Sequence, residues 1–354
     1  MPQPHASGHF RTDYANDWQL LQTRGQRASA IAGVVLACLF PFLASPFQLD
    51  LANQVLIAVV GAVALMLLTG YAGQVSLGHA GLMAAGAFTT GILARETGAP
   101  FWIALPASGV AGALIGFVFG LPSLRLRGLY LAVSTLALHF IVIHAGQEYE
   151  TRRGLSSGVV IDPPSLFGAE LIDPRLWYAA LFVCAGATVL FALNLLRSRT
   201  GRAWRALHGR EPVAEALGIP VARAKVSAFV IASTLTAISG SLFAYYRGFV
   251  SSEAFSLFLT IQYVAMIIIG GMGSILGAVL GATFVTLFPY LIEMAIAQLP
   301  GGESMSSLVF AVNYAAFGLV MILFLLFEPQ GLVGIWQRIR NWFLLWPFRQ
   351  RPLK

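Results

Sequence analysis

The sequence predicts an all-α polytopic membrane protein of about ten transmembrane helices, and three observations carry that reading. Hydrophobic residues make up 57% of the 354 residues and charged residues only 10%, where a soluble chain carries about a quarter. That is more apolar side chain than one soluble core could hide, so lipid must solvate most of it. Apolar runs of roughly 20 residues, long enough to cross the hydrocarbon core as helices, recur along the chain. The third observation is a charged interruption at 197–225 between two apolar halves, with seven Lys or Arg against two acids, Glu211 and Glu215. Short loops this basic stay on the cytoplasmic side.

Taken in order, residues 1–27 are polar and mixed in charge with no early apolar run, which reads as a cytoplasmic amino-terminal tail and not a cleavable signal. Candidate spans follow at 28–47, 51–69, 74–94, 101–122 and 129–146. The stretch 147–175 carries five acids and Pro163, Pro164 and Pro174. It reads as a loop over the extracytoplasmic face, with room for one short helix. A sixth span covers 176–196, and beyond the interruption come 226–246, 257–271, 274–297 and 307–327. Residues 28–327 thus form the membrane domain and 328–354 a basic cytoplasmic tail.

The charges test this count. With the amino terminus inside, the inner segments 1–27, 70–73, 123–128, 197–225, 272–273 and 328–354 hold 3, 0, 2, 7, 0 and 5 basic residues, 17 of the 22 in the chain. The others, Arg95, Arg152, Arg153, Arg175 and Arg247, fall outside or at outer span ends. Removing any one of the first six spans would put the basic interruption outside, against the charge rule.

The interruption has structure of its own. TGRAWRALH forms one short helix, and Pro212 suits the first turn of a second, PVAEAL, which Gly218 and Pro220 stop. With no lipid to face, the charges of these helices call for another protein, so the pair offers a docking surface. A solvated loop that only fixes topology is the plainer alternative.

Two segments are dense in glycine: GYAGQVSLGHAGLMAAGAF (70–88) and GGMGSILGAVLGATF (270–284). Glycine lets helices approach closely and also lets a helix break. Both clusters begin at an inner turn and lead into a span. Placed five spans apart in the two halves, they suggest an inverted repeat, which needs an odd offset.

Polar residues inside the spans are few: Gln74, Ser76 and His79 in the first cluster, His139 and His144 towards the outer end of span five, and Glu293 near the outer end of span nine. No carboxylates thread the bilayer, which argues against a proton- or sodium-driven pump. No nucleophile triad, paired-carboxylate site or phosphate-binding loop is present, so no catalytic residue is assigned. Cys38 and Cys184 lack metal or redox spacing and read as small buried apolar residues, and no metal site is expected.

GYAGQVSLGHAGLMAAGAF, TGRAWRALHGREPVAEALGI, IGGMGSILGAVLGA and FGLVMILFLLFEPQGLVGIWQR, in this order and spacing, resemble the branched-chain amino acid ABC transporter permease family, in its second and longer permease type. The likeness covers about 51–340. It implies a fold like that of the cobalamin-importer permeases and a multi-pass place in a bacterial inner membrane with both termini cytoplasmic. It also implies partners: a second permease in a heterodimer, two ATP-binding subunits and a periplasmic substrate-binding protein. ATP and Mg would be bound by the ATPase subunits and no cofactor by this chain; no nucleic-acid partner is expected.

On the loop that contacts the ATPase in this family fall Gly201, Arg202, Arg205, Glu211, Ala214, Ala216 and Gly218. Pathway candidates are Gly73, Gln74, Ser76, Gly78, His79, Gly270, Gly271, Gly273 and Gly277. The chain departs from the family pattern at Pro212, at Ala278 (where a Gly-Pro pair is common) and at Arg152 and Arg153. Glycine, alanine and aliphatic walls suit an apolar solute, with no intramembrane Lys or Arg placed to hold an anion. The main reading is an importer of branched-chain or other hydrophobic amino acids. The alternatives are the same build carrying urea, short amides or aromatic acids, or a stand-alone secondary transporter or channel.

Overall fold

In the computed structural model, residues 24–297 and 306–345 are described, apart from 127, 156–157, 167–168 and 329. Most of the amino-terminal tail and the end of the carboxyl-terminal tail lie outside these residues. Each of the ten apolar segments emerges as a helix: α1 (Arg24–Leu43), α2 (Pro46–Leu65), α3 (His79–Thr97), α4 (Phe101–Gly120), α5 (Leu129–Arg152) and α6 (Pro174–Arg197) come first. The interruption folds as α7 (Arg199–Gly209) and α8 (Glu211–Ala216), the two short helices that its sequence predicts. Then follow α9 (Val221–Arg247), α10 (Leu257–Gly270), α11 (Ile275–Ala297), α12 (Ser306–Phe327) and α13 (Gly331–Leu345).

Six of these are long and apolar enough to cross a membrane alone: α2 with its extension to Tyr71, α4 with its extension to Leu124, α5, α6, α9 and α11. A seventh is the pair Val312–Phe327 and Gly331–Arg340, bent by 52°. The protein is therefore a helical membrane protein. Helix α10 has 14 residues, about 21 Å at 1.5 Å each, against about 30 Å of hydrocarbon.

Boundaries move where caps act. The first helix stops at Leu43, ahead of the expected 47, because Ser45 starts the next one. Its hydroxyl accepts from Gln48 N at 3.3 Å while Gln48 Oε1 accepts from Ser45 N at 3.0 Å, a reciprocal capping box with Pro46 in the first turn. The second span runs past Leu65 as a π-helical turn, Met66–Tyr71.

The larger correction concerns 74–94, read as one continuous span. Residues 73–78 are not helical. Gly73 has φ 69°, where a side chain would be strained, and α3 begins only at His79. Gln74 N donates to Leu68 O at 3.1 Å, Leu77 N to Thr135 Oγ1 at 2.9 Å and Ala80 N to Thr260 Oγ1 at 3.0 Å. Threonines of α5 and α10 thus replace the missing helical partners, as a break at membrane depth requires.

Helix α9 is the centre. Gly112 and Gly116 of α4 bring that helix so close that an added Cβ would stand 2.5 Å from Ser233 O and 2.6 Å from Ser233 Cβ respectively. Gly240 of α9 lies directly on the backbone carbonyl of Met83, and Gly86 on that of Ala237. Hydroxyls then tie the crossing: Thr90 Oγ1 donates to Ser241 Oγ at 2.6 Å and Ser239 Oγ to Ile57 O at 3.0 Å. This is how helices hold together in lipid, by small residues and interhelical hydrogen bonds.

The loop 147–175 holds no helix of its own among the described residues; α5 runs on to Arg152. Strands β1 (Val159–Val160), β2 (Ser165–Leu166), β3 (Ala169–Glu170) and, after α9, β4 (Phe249–Val250) build two small antiparallel pairs, β1 with β4 and β2 with β3. Arg153 pairs with Glu96 at 2.9 Å and Glu150 accepts from Ser252 N and Oγ at 3.0 and 2.7 Å. These contacts gather the turns after α3, α5 and α9 at one end. The turns at 70–73, 122–125, 197–225 and 271–274 meet at the other.

Both glycine clusters lie at that second end and lead into helices running the same way. They precede the third and ninth apolar helices, an even offset of six, so they do not express an inverted repeat. The cysteines are also less enclosed than expected, Cys38 exposed and Cys184 half-buried.

Replacing Gly240 with Ala would drive a methyl into the Met83 carbonyl, and overpacking of this kind costs about 1–3 kcal/mol. Unfolding of the purified protein in detergent should therefore shift to lower temperature. An unchanged melting curve would mean that α3 and α9 are not held this closely.

Candidate functional site

Four features run from one end of the bundle to the other. At the end where the turns after α3, α5 and α9 gather, the first halves of α2 and α10 and the last halves of α9 and α11 leave a cavity of about 340 Å³. Its rim carries Gln54, Tyr246, Arg247, Tyr290 and Glu293, and its deeper walls Ile57, Ala58, Met83, Met266 and Val285. A hydrogen-bond chain braces the rim: Tyr290 Oη donates to Gln54 Oε1 at 3.2 Å, Gln54 Nε2 to Asp50 Oδ2 at 2.8 Å, and Tyr246 Oη to Asp50 Oδ1. Arg247 ends α9, its guanidinium 5.7 Å from the Phe243 ring centre. Arg247 thus stands at a span end, where the sequence places it, and lines the cavity from there.

Below the cavity is Tyr263, which lines it and lies 4.5 Å, ring to ring, from His79. Gly61 makes room for that ring, since a Cβ there would come within 2.6 Å of it. His79 is 2% exposed, its Nδ1 3.5 Å from Thr236 Oγ1 and its Nε2 without a partner. Gln74 and Ser76 are equally enclosed, and neither polar atom of the Gln74 side chain has a partner. Gly78 packs on the Thr135 carbonyl, with 2.6 Å from an added Cβ. These residues are enclosed side by side along the break, with His79 against the cavity-lining Tyr263. His139 is buried near the middle of α5, against Gly81, and not at its outer end.

Beside the break the glycine clusters meet. An added Cβ on Gly70 would stand 3.0 Å from Gly273 N, while Gly270 lies on the Gly277 carbonyl and Gly277 near the Gly271 carbonyl. On Gly271, at φ 111°, an added Cβ would stand 2.5 Å from Gln330 O, so the start of α13 docks on the same knot. Gly73 touches α7, with His208 Nδ1 3.0 Å from where a Cβ would lie. Sequence reasoning named these glycines from composition; the structure joins them at the end opposite the cavity.

The fourth feature is the α7–α8 pair. Trp204 is fully buried and its Nε1 donates to Ala224 O at 3.0 Å and Ser227 Oγ at 3.2 Å, fastening α7 to the first turns of α9. Lys225, 3% exposed, pairs with Glu211 at 2.5 Å and donates to Ser123 O at 3.3 Å. Arg205 donates to the Leu196 carbonyl at the end of α6. Arg205 and Glu211, whose charges pointed to another protein, thus find partners within the chain: α8 folds back on α9, which buries Lys225 and must neutralise it. Gly201 and Ala214 are packed inward, Gly201 against the backbone of Leu195 and Leu196. Arg202, Ala216 and Gly218 are exposed, with Val213 and Leu217 beside them at 51% and 74% exposure.

Sequence reasoning missed Asp50, Gln54, Tyr246, Gln262, Thr286 and Tyr290 at or beside the cavity. The signal available was Asp50 and Gln54 four residues apart on one helix face, and Gln262 within the apolar run LFLTIQYVAMIIIG.

A cavity at one end, an enclosed polar cluster beside it, a glycine knot and a fastened helical pair at the other end, all within a bundle of apolar helices, are the features of a membrane transport permease. The chain belongs to the branched-chain amino acid transport system permease component family, whose model matches residues 47–326. It is 32% identical to the high-affinity branched-chain amino acid transport system permease LivM of Salmonella typhimurium over 87% of this chain and 75% of that one. The LivM protein of Escherichia coli K12 matches equally, at 32% over the same shares. A probable LivM of Methanocaldococcus jannaschii is 26% identical over 65% of this chain and 67% of its own length. No solved structure matches.

The Lys225–Glu211 pair sets up a graded test. Glu211→Gln leaves a buried ammonium without its counter-charge, which typically costs about 3–5 kcal/mol, whereas replacing both partners by apolar residues costs far less. Unfolding in detergent should rank Glu211→Gln well below the double variant Glu211→Leu with Lys225→Met. The reverse order would show that Lys225 is solvated.

Proposed function

We propose that this chain is the longer permease subunit of an ATP-driven importer of branched-chain or other hydrophobic amino acids in a bacterial inner membrane. It pairs with a second permease, two ATPase subunits that hold ATP and Mg, and a binding protein on the outer side. All ten apolar helices cross, with both termini cytoplasmic.

The observation that carries this reading is the fastened α7–α8 pair. It is too short and too charged to cross a membrane, it leaves Val213 and Leu217 exposed, and it is locked to α9 through Trp204 and Lys225. Motion imposed on it by a closing ATPase pair passes directly to the central helix and, through His208, to the break at Gly73. Interfaces packed by small residues have discrete arrangements and do not deform continuously, so such a push switches the pathway between its two sides. The amino acid solute is supported by the family and by the relatives, whose names give branched-chain amino acid transport.

Topology is checked by single cysteines in intact cells. Arg199→Cys should be protected from an impermeant thiol reagent and Glu253→Cys labelled; labelling at 199 would overturn the orientation.

For function, deleting the gene should abolish high-affinity uptake of labelled leucine, isoleucine and valine. Val213→Asp with Leu217→Asp should keep the permease in the membrane but lose co-purified ATPase and uptake. Unchanged uptake of all three amino acids on deletion, with loss of urea or aromatic acid uptake, would sink the amino acid reading.

A further inference from the structure

The outer cavity holds unlike charges at its rim and apolar surface beneath. Gly248, at φ 73°, ends α9 and leaves Arg247 on the wall; Glu293 reaches the same space from α11. Among the described residues neither is drawn into a salt bridge. The other carboxylate nearby is already engaged: Asp50 accepts from Tyr246 with one oxygen and from Gln54 with the other. On the cavity wall, Thr286 Oγ1 is buried and has no hydrogen-bond partner. Deeper down, Met83, Met266 and Val285 offer a flexible apolar floor. Leu259 to Met266, both in the wall, span about 10 Å of α10. The volume of about 340 Å³ falls within the range of about 300–1,000 Å³ usual for small-ligand pockets.

We infer that this cavity is a low-affinity receiving site for an α-amino acid zwitterion, its carboxylate towards Arg247, its ammonium towards Glu293 and its side chain on the methionine floor. The proposal deepens the importer reading and rests on it. A zwitterion leaving a binding protein carries two charges that cost free energy to strip of water unless each is met. A neutral amide or a simple acid would use only one of these groups. Because both groups are exposed, their attraction is screened and weak, which suits a site that must release its solute inward. Tyr263 and His79 close the site below, so solute waits there until the helices rearrange.

The test uses the assembled transporter in membranes without ATP, with Cys38 and Cys184 replaced by Ala and Gln262→Cys introduced on the cavity wall, where the side chain is half-buried. The reagent is an impermeant thiol label, and the probes are L-leucine, L-leucinamide (no carboxylate) and 4-methylpentanoate (no ammonium). Leucine at ten times its Kd should slow labelling about tenfold, since only the empty site reacts, while the two analogues at that concentration should leave the rate nearly unchanged. Arg247→Gln and Glu293→Gln should each abolish the protection, and Arg247→Lys should keep it, which separates charge recognition from misfolding. Equal protection by leucine and either analogue would overturn the zwitterion site. So would a lack of leucine protection in a strain whose leucine uptake needs this chain, and there the importer reading would survive. Leucine uptake that does not need this chain would instead bring down the importer reading and the receiving site with it.

Discussion

Inside a bilayer a backbone that leaves the helix must find its hydrogen bonds within the protein. That requirement, met at 73–78, is what the rest of this structure depends on. Thr135 of α5 and Thr260 of α10 supply the acceptors for Leu77 and Ala80, and Thr69 donates to the Gln74 carbonyl at 3.1 Å. Three helices that are remote in sequence are thereby fixed around one break. The break in turn lets α3 begin at His79, against the cavity-lining Tyr263, while Gly73 remains beside α7. A regular helix through this stretch would satisfy its own backbone and would leave nothing to hold α5 and α10 against it.

The second dependence is on α9. Its small residues allow α3 and α4 to approach to backbone contact, and its two ends carry the two working surfaces. The amino-terminal end holds Ala224 and Lys225, on which α7 and α8 are fastened. The carboxyl-terminal end holds Tyr246 and Arg247 on the cavity rim. A stiff helix with tight neighbours can carry a displacement from one end to the other, provided that the crossings slide as units. Glycine crossings lack interlocking side chains and are suited to that.

What was legible in the sequence follows from how local each signal is. Apolar runs, Pro212 in the first turn and Gly218 at the end of α8 act within a few residues, so the ten apolar helices and the two short ones could be read directly. The break at 73–78 was half legible: glycine density marked the place, but the acceptors that make a break affordable belong to Thr135 and Thr260, 58 and 180 positions away from the amides they serve. The cavity was not legible, because its rim is assembled from Asp50 with Tyr246, 196 positions apart, and Gln54 with Tyr290, 236 apart. Arg205 and Glu211 were read as facing a partner because charge on a loop helix has no local explanation; the buried ammonium of Lys225 and the Leu196 carbonyl supply one.

These internal pairings change what the α7–α8 surface can contribute to docking. Arg202 and Arg205 are both exposed and both held to carbonyls at the end of α6, and beside them Val213 and Leu217 are exposed, an apolar centre with a basic edge. A patch of this kind gains its energy from burying the apolar pair, while the arginines set the approach and orientation. The buried Lys225–Glu211 pair adds no affinity there; it holds α8 in a defined position relative to α9. A docking helix that slipped on its own base would dissipate the push in the loop. The desolvated ion pair makes such slippage costly, so that a partner moving α8 must move α9 with it.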